Sequence, residues 1–279
     1  MDDTGTKEVC LNRRQFARRK LFASDLAVAV AIFFAVSLFV SIASPLPAAP
    51  AQEASAANVA TETIHYDSGG FNIDGFVAKP SGGGKHPAVL LIHDSQGLND
   101  SIREIAKQFA AAGFFALAPD LTSRLGGART PDQMAQAVGQ LSPNLSVQDA
   151  RAAFAYLQKD SDVDAAKISA VGFGWGGWRS FMLAVSVPEL YRAVVYCGST
   201  PSQSFDAAHA PVLAHYAQFD FRVTGNALLT EKTMTEAGKK FTYFVYPQVN
   251  RGFYAPGMQY NADAAKLAWT RTLDFLEHE

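Results

Sequence analysis

The chain has 279 residues, of which 48% are hydrophobic and 18% are charged, and its formal net charge is −2. This composition can form a sizeable core and excludes bulk disorder. Because the chain has no excess of basic residues, a nucleic-acid partner is not expected. The two cysteines, Cys10 and Cys197, lie on opposite sides of a long apolar segment, so we expect no disulfide framework and no metal site.

Residues 1–51 have the pattern of an export signal or membrane anchor. Residues 12–20 are strongly basic and contain paired arginines, one spacer and a phenylalanine, as in twin-arginine signals. Leu26 to Ala43 then runs 18 residues without a charge, and Ala49-Pro50-Ala51 is an A-x-A cleavage signal. This length lies just inside the spanning range, so cleavage and retention both stay open. Because basic residues stay cytoplasmic, the folded domain is predicted to be periplasmic, and a retained helix could join a membrane-protein complex.

Residues 52–60 are small and polar and are predicted to form a linker, and residues 61–279 are predicted to form one domain. The predicted strands are Thr61–Tyr66, Phe71–Lys79, Ala88–Ile92, Phe114–Ala118, Ile168–Phe173, Ala193–Cys197, Val212–Ala217 and Phe241–Tyr246. The predicted helices are Ser101–Ala112, Ser146–Gln158, Trp178–Val187, Asn226–Ala237 and Ala262–Glu277. The Ser101-x-x-Glu104 spacing predicts a capping box, and residues 121–143 are predicted to be an insertion with a short helix after Pro131.

Strands that alternate with helices predict an α/β fold, with a mainly parallel sheet covered on both faces and entered by an antiparallel hairpin. The ligand site of such a sheet lies at the carboxyl ends of its strands. The glycine-rich turn Val171–Gly177 occupies one of these ends, between a strand and a helix. Its spacing Gly172-x-Gly174-x-x-Gly177 also fits a dinucleotide fingerprint. We favour close strand–helix packing instead, because no acidic residue ends the next strand and Trp175 would crowd a pyrophosphate; no cofactor is therefore predicted.

Four segments together resemble the dienelactone hydrolase family of α/β hydrolases. They are Ile92–Asn99, Gly113–Leu121, Ile168–Gly177 and the stretch from Tyr246-Pro247 to Gly252-Phe253. The resemblance implies a Cys or Ser nucleophile on the glycine-rich elbow, then an Asp, then a His that takes the proton of the nucleophile. It also implies backbone N–H groups that stabilise an oxyanion.

Carried over position by position, the family's reacting groups are mostly missing. The nucleophile position falls on Gly174 and the histidine position on Arg251, whereas Asp220 matches the acid. Asp94 replaces a Glu that is common in the family's first loop. Glycine also relieves the strained backbone that a nucleophile elbow requires. Asp220 is expected to become a structural acceptor, with an ion pair to Arg251 as a hypothesis.

Other residues are weaker candidates for chemistry. Ser180 lies too far along the exit helix, His215 is expected to be a satisfied core histidine, and Cys197 is expected to be a buried apolar residue. His93 lies near the predicted oxyanion loop and could assist a water molecule. With Asp94, Trp175 and Arg251, it completes the set of candidate pocket residues.

Two classes of function therefore remain open. The first is a non-catalytic binding or accessory protein at the periplasmic membrane face, with a small ester-like or carboxylate ligand. The second is an ester or lactone hydrolase with an atypical nucleophile.

Overall fold

The computed structural model describes residues 59–126 and 130–278, so the predicted export signal and most of the predicted linker lie outside the described residues. Eight strands form one sheet in the order β1-β2-β4-β3-β5-β6-β7-β8. The β1–β2 and β2–β4 pairs are antiparallel, and all other neighbouring strands are parallel. The predicted fold, a mainly parallel sheet entered by a hairpin, is confirmed.

The elements are named here in chain order. The strands are β1 Val59–Ser68, β2 Phe71–Pro80, β3 His86–Ile92, β4 Phe115–Pro119, β5 Val163–Phe173, β6 Ala193–Tyr196, β7 Val212–Ala217 and β8 Phe241–Tyr246. The helices are α1 Asp100–Ala111, α2 Pro131–Gln140, α3 Pro143–Lys159, α4 Trp175–Ser186, α5 Phe221–Thr224, α6 Ala227–Glu236 and α7 Ala262–Glu277, and a 3₁₀ turn spans Ser123–Leu125.

The central strands are apolar along their whole length because helices cover both faces of the sheet. Successive side chains of a strand point to opposite faces, so β3 divides its residues between two cores. Leu90 and Ile92 pack with the core that includes residues of α3, α4 and α6. Val89 and Leu91 pack with the core that includes residues of α1 and α7. Both faces of the sheet are thereby buried, and its carboxyl edge carries the loops described below.

Several element boundaries differ from the prediction. The side chain of Asn99 caps α1 by accepting from the Ile102 N–H, so the capping box predicted at Ser101 is wrong. Helix α4 begins at Trp175, three residues earlier than predicted, because the chain becomes helical directly after Gly174. Short helix α5 was not predicted. Within residues 59–126 and 130–278, no helix is both long and apolar enough to cross a bilayer.

Candidate functional site

The turn between β5 and α4 has the backbone of a nucleophile elbow. Gly174 has φ 50° and ψ −104°, a conformation that L-residues adopt only with strain. Its N–H donates to the Tyr196 carbonyl at 2.7 Å, which ties the turn to the neighbouring strand. The turn therefore presents position 174 at the carboxyl edge of the sheet, where the fold would display a nucleophile.

The glycines on either side of position 174 are required by close packing. A Cβ atom at Gly176 would lie 2.2 Å from the Ile92 carbonyl oxygen, and one at Gly172 would lie 2.2 Å from the Gly176 carbonyl oxygen. A Cβ atom at Gly177 would lie 2.9 Å from Gly198. These contacts support the packing interpretation of the glycine spacing over the dinucleotide fingerprint.

The carboxylate of Asp94 lies in the space that a side chain at position 174 would enter. A Cβ atom at Gly174 would lie 2.4 Å from Asp94 Oδ1 and 2.5 Å from Asp94 Oδ2. Asp94 Oδ1 accepts from the N–H of Ser95 at 2.7 Å and from the N–H of Trp175 at 2.9 Å. In α/β hydrolases, the N–H groups at these two places form the oxyanion hole. The chain's own carboxylate thus fills the hole and blocks the space above the elbow.

Two further side chains hold this carboxylate. The Tyr254 hydroxyl donates to Asp94 Oδ2 at 3.0 Å, and Arg251 Nη2 lies 3.6 Å from Asp94 Oδ1. The start of α4 adds the favourable field of a helix N-terminus. Burial and the charge of Asp94 raise the pKa of Tyr254 well above its usual value, so the hydroxyl keeps its proton and donates. Arg251 therefore has a different role from a proton-accepting histidine.

The predicted ion pair between Asp220 and Arg251 does not form. Among the described residues, the only acidic side chain within 4.0 Å of an Arg251 nitrogen is Asp94. Asp220 precedes α5, and its backbone carbonyl accepts from the N–H groups of Val223 and Thr224. Its Oδ2 atom is buried and has no hydrogen-bond partner within the part of the chain that the structure describes. The acid position is thus retained without the partner that would give it a role in proton transfer.

His93 is a structural residue that packs behind the site. It is fully buried, and its Nε2 accepts from the Leu121 N–H at 3.2 Å, so its proton is on Nδ1 and is donated to the Asp94 carbonyl. Burial lowers its pKa, which keeps the ring neutral. The ring also stacks on Trp175 with 5.5 Å between centroids. Both ring nitrogens are engaged, so the water-assisting role considered for His93 is wrong.

The other nucleophile candidates are buried. Ser180 is buried and donates within the fold, with the Ala170 and Val194 carbonyls as acceptors. Cys197 is 1% exposed, and burial raises the pKa of its thiol to about 12, so the reactive thiolate is not formed near neutral pH. His215 is a satisfied core histidine as expected, with ring nitrogens 2.9 Å from the Tyr246 hydroxyl and 3.0 Å from the Thr272 hydroxyl.

A cavity of about 580 Å³ opens beside the elbow, and Gly174, Trp175 and Arg251 line part of it. Two arginines that sequence reasoning missed, Arg179 and Arg222, also line it. Arg179 carried a readable signal, because it is the only charged residue in the α4 sequence. Tyr254 carried none, since only the folding of its loop brings it to Asp94. Within residues 59–126 and 130–278, no cluster of His, Cys, Asp and Glu could hold a metal ion.

The model of the dienelactone hydrolase family matches residues 73–279. A Methylorubrum extorquens protein that carries the provisional name carboxymethylenebutenolidase is 30% identical over 223 residues, which cover 73% of this chain and 76% of that protein. An Escherichia coli K12 protein of the same provisional name is 27% identical, over 86% of this chain and 94% of its own length.

Solved structures have the same fold. A provisionally named dienelactone hydrolase from Klebsiella pneumoniae superposes with a TM-score of 0.72 at 22% identity, covering 79% of this chain and 99% of that chain. A dienelactone hydrolase-like promiscuous phosphotriesterase from metagenomic libraries superposes with a TM-score of 0.69 at 22% identity, covering 78% and 98%.

Proposed function

Because the chain belongs to the dienelactone hydrolase family and yet carries its own Asp94 carboxylate where the reacting groups of a hydrolase would meet, we propose that it is a non-hydrolytic binding protein. The observation that carries the proposal is the pair of N–H bonds, from Ser95 and Trp175, to a single Asp94 oxygen. An ester carbonyl needs those same two donors to become an oxyanion.

The residues at positions 174 and 251 and the Asp94 carboxylate in the oxyanion hole support the proposed lack of hydrolysis independently. Gly174 offers no atom that could attack a substrate, and Arg251 cannot accept a proton because guanidinium stays charged in proteins. Restoring Cys and His alone would therefore not restore hydrolysis, since a Cβ atom at position 174 would collide with the Asp94 carboxylate. In this proposal, Gly174, Arg251 and Asp94, which lie at the same edge of the sheet, together prevent ester hydrolysis.

We place this binding protein outside the cytoplasmic membrane, as an accessory protein at the periplasmic membrane face. The support is the basic stretch at residues 12–20 followed by the uncharged segment from Leu26 to Ala43. N-terminal sequencing of the protein recovered from the periplasmic and membrane fractions tests this. A new N-terminus near Ala51 is expected after cleavage, and an intact N-terminus in the membrane fraction after retention. An intact chain in the cytoplasm would contradict the placement.

Turnover of small aryl esters and lactones by the purified full chain tests the proposed lack of hydrolysis. We expect a rate equal to that of the reaction without protein, and the same rate for the Gly174→Cys/Arg251→His variant. The triple variant that adds Asp94→Ala clears the oxyanion hole and serves as the positive arm, in which turnover is expected to emerge. Wild-type turnover that Asp220→Asn or Cys197→Ala abolishes would overturn the proposal and favour an active hydrolase with an atypical nucleophile.

A further inference from the structure

The cavity beside Gly174 has an excess of positive charge. Arg179, Arg222 and Arg251 line it, and no Asp or Glu from the described ranges is among its lining residues. Arg222 is exposed and forms no ion pair with a described side chain, so it can reach a ligand, whereas Arg251 lies 3.6 Å from the Asp94 carboxylate. The remaining wall includes apolar side chains, among them Val138, Leu141, Trp178 and Val223.

Arg179 is the unusual member of this group. It is 5% exposed, and no acidic side chain of the described residues lies within 4.0 Å of it. Its Nε donates to the Ser146 hydroxyl at 2.9 Å and its Nη1 donates to the Trp175 carbonyl at 2.8 Å. Its guanidinium also lies over the Trp175 ring, 3.2 Å from the ring centroid. Its Nη2 has no hydrogen-bond partner among the described residues, and the side chain borders the cavity.

Two other arginines with little side-chain exposure show how this chain compensates such a charge. Arg124 makes two hydrogen bonds to the carboxylate of Asp149, at 2.7 Å and 2.6 Å. Arg192 donates to the Phe275 carbonyl near the C-terminus of α7, where a helix favours a cation. Arg179 has neither kind of compensation, because it lies near the N-terminus of α4. Burial lowers its pKa to about 9, which reflects the cost of a charge without a counter-ion.

We propose that this cavity binds a small organic oxyanion, a carboxylate or a phosphate on an apolar body, with Arg179 and Arg222 holding its charged group. Planar guanidinium groups are well suited to carboxylates and phosphates, and the cavity volume is in the range of small-molecule sites. The apolar wall favours an organic anion over a bare inorganic ion. This inference rests on the proposed function, since it gives the binding protein its class of ligand.

The test is calorimetric titration of the full chain with benzoate, phenyl phosphate and the neutral benzamide. Binding of benzoate or phenyl phosphate is expected, and the preferred one identifies the charged group. Benzamide is expected to bind at least about tenfold more weakly, because one charge-assisted hydrogen bond contributes about that factor. Equal binding of benzamide, or no binding of either anion, would overturn the inference.

Arginine variants locate the site. Arg222→Gln is expected to weaken anion binding about 3- to 30-fold, and Arg179→Gln at least about tenfold. The matched control is Arg151→Gln, because Arg151 is an exposed arginine that does not line the cavity. If Arg179→Gln does not fold, Arg222→Gln alone decides, and an affinity equal to that of the control would overturn the inference.

The two proposals can fail separately because this titration contains no ester. Anion binding together with ester turnover would contradict the lack of hydrolysis and leave the anion site standing. Absent turnover together with absent anion binding would contradict the anion site alone.

Discussion

Two aspartates at the carboxyl edge of the sheet have opposite surroundings. Asp94, in the loop after β3, receives two backbone N–H bonds and a tyrosine hydroxyl, with an arginine nearby. Asp220, in the loop after β7, matches the acid of a hydrolase triad but has a buried oxygen without a partner in the described part of the chain. The difference teaches that the hydrogen bonds of this site converge on Asp94 and not on the position that resembles a triad acid.

Replacing Gly174 is expected to have the largest effect on stability, and it tests whether Asp94 occupies the space above position 174. Gly174→Ala is expected to lower the free energy of unfolding by about 2–5 kcal/mol, because the new Cβ meets the Asp94 carboxylate and the backbone conformation is strained. Urea unfolding measures the loss. The double variant with Asp94→Ala is expected to lose at least ~1 kcal/mol less than the sum of the two single variants. Strictly additive losses would show that Asp94 does not occupy the space above position 174.

Removing the charge of Asp94 is the next largest change. Asp94→Asn is expected to lower the free energy of unfolding by about 1.5–3 kcal/mol, because the hydrogen bonds it receives lose their charge assistance and Arg251 loses its acidic partner. The measurement is urea unfolding at neutral pH. A loss no larger than that of Asp220→Asn would remove the contrast between the two loops.

The buried His215 makes the stability of the fold sensitive to acid, which limits the pH at which the two aspartates can be compared. Burial lowers the pKa of His215 to about 3, below the value near 6.5 in the unfolded chain. The unfolded chain therefore binds more protons as pH falls below about 6.5, and stability is lost from there toward pH 3 by about 1.4 kcal/mol per unit for this residue. Stability curves at pH 5 and pH 7 measure it. His215→Gln, which does not titrate, is expected to be less sensitive to acid, and an unchanged slope would contradict this assignment.

Asp220→Asn is expected to have the smallest effect. Asparagine removes a charge whose buried Oδ2 has no partner among the described residues, so the free energy of unfolding should not fall by more than about 0.5 kcal/mol. The matched chemical change at Asp94 is its control, measured under the same conditions. A loss above about 1.5 kcal/mol would show that Asp220 has a stabilising partner and that the contrast is wrong.

Much of the fold could be predicted because it follows from local patterns. Continuous apolar runs such as Val212–Ala217 predict buried parallel strands, and the spacing of the glycines predicts the elbow. Helix boundaries were less predictable, because Asn99 and Ser101 are both plausible caps and only the path of the chain selects Asn99.

The sequence by itself determined that positions 174 and 251 carry a glycine and an arginine, and not the nucleophile and histidine that the family resemblance implies. Only the tertiary structure decided which side chains surround position 174. Trp175 and Tyr254 lie 81 and 160 residues from Asp94 along the chain, and their contacts with it depend on three loops meeting at one edge of the sheet. From the sequence, Arg251 could have paired with either Asp94 or Asp220. It lies beside Asp94 because of the way the loops pack, and no local sequence pattern encodes that packing.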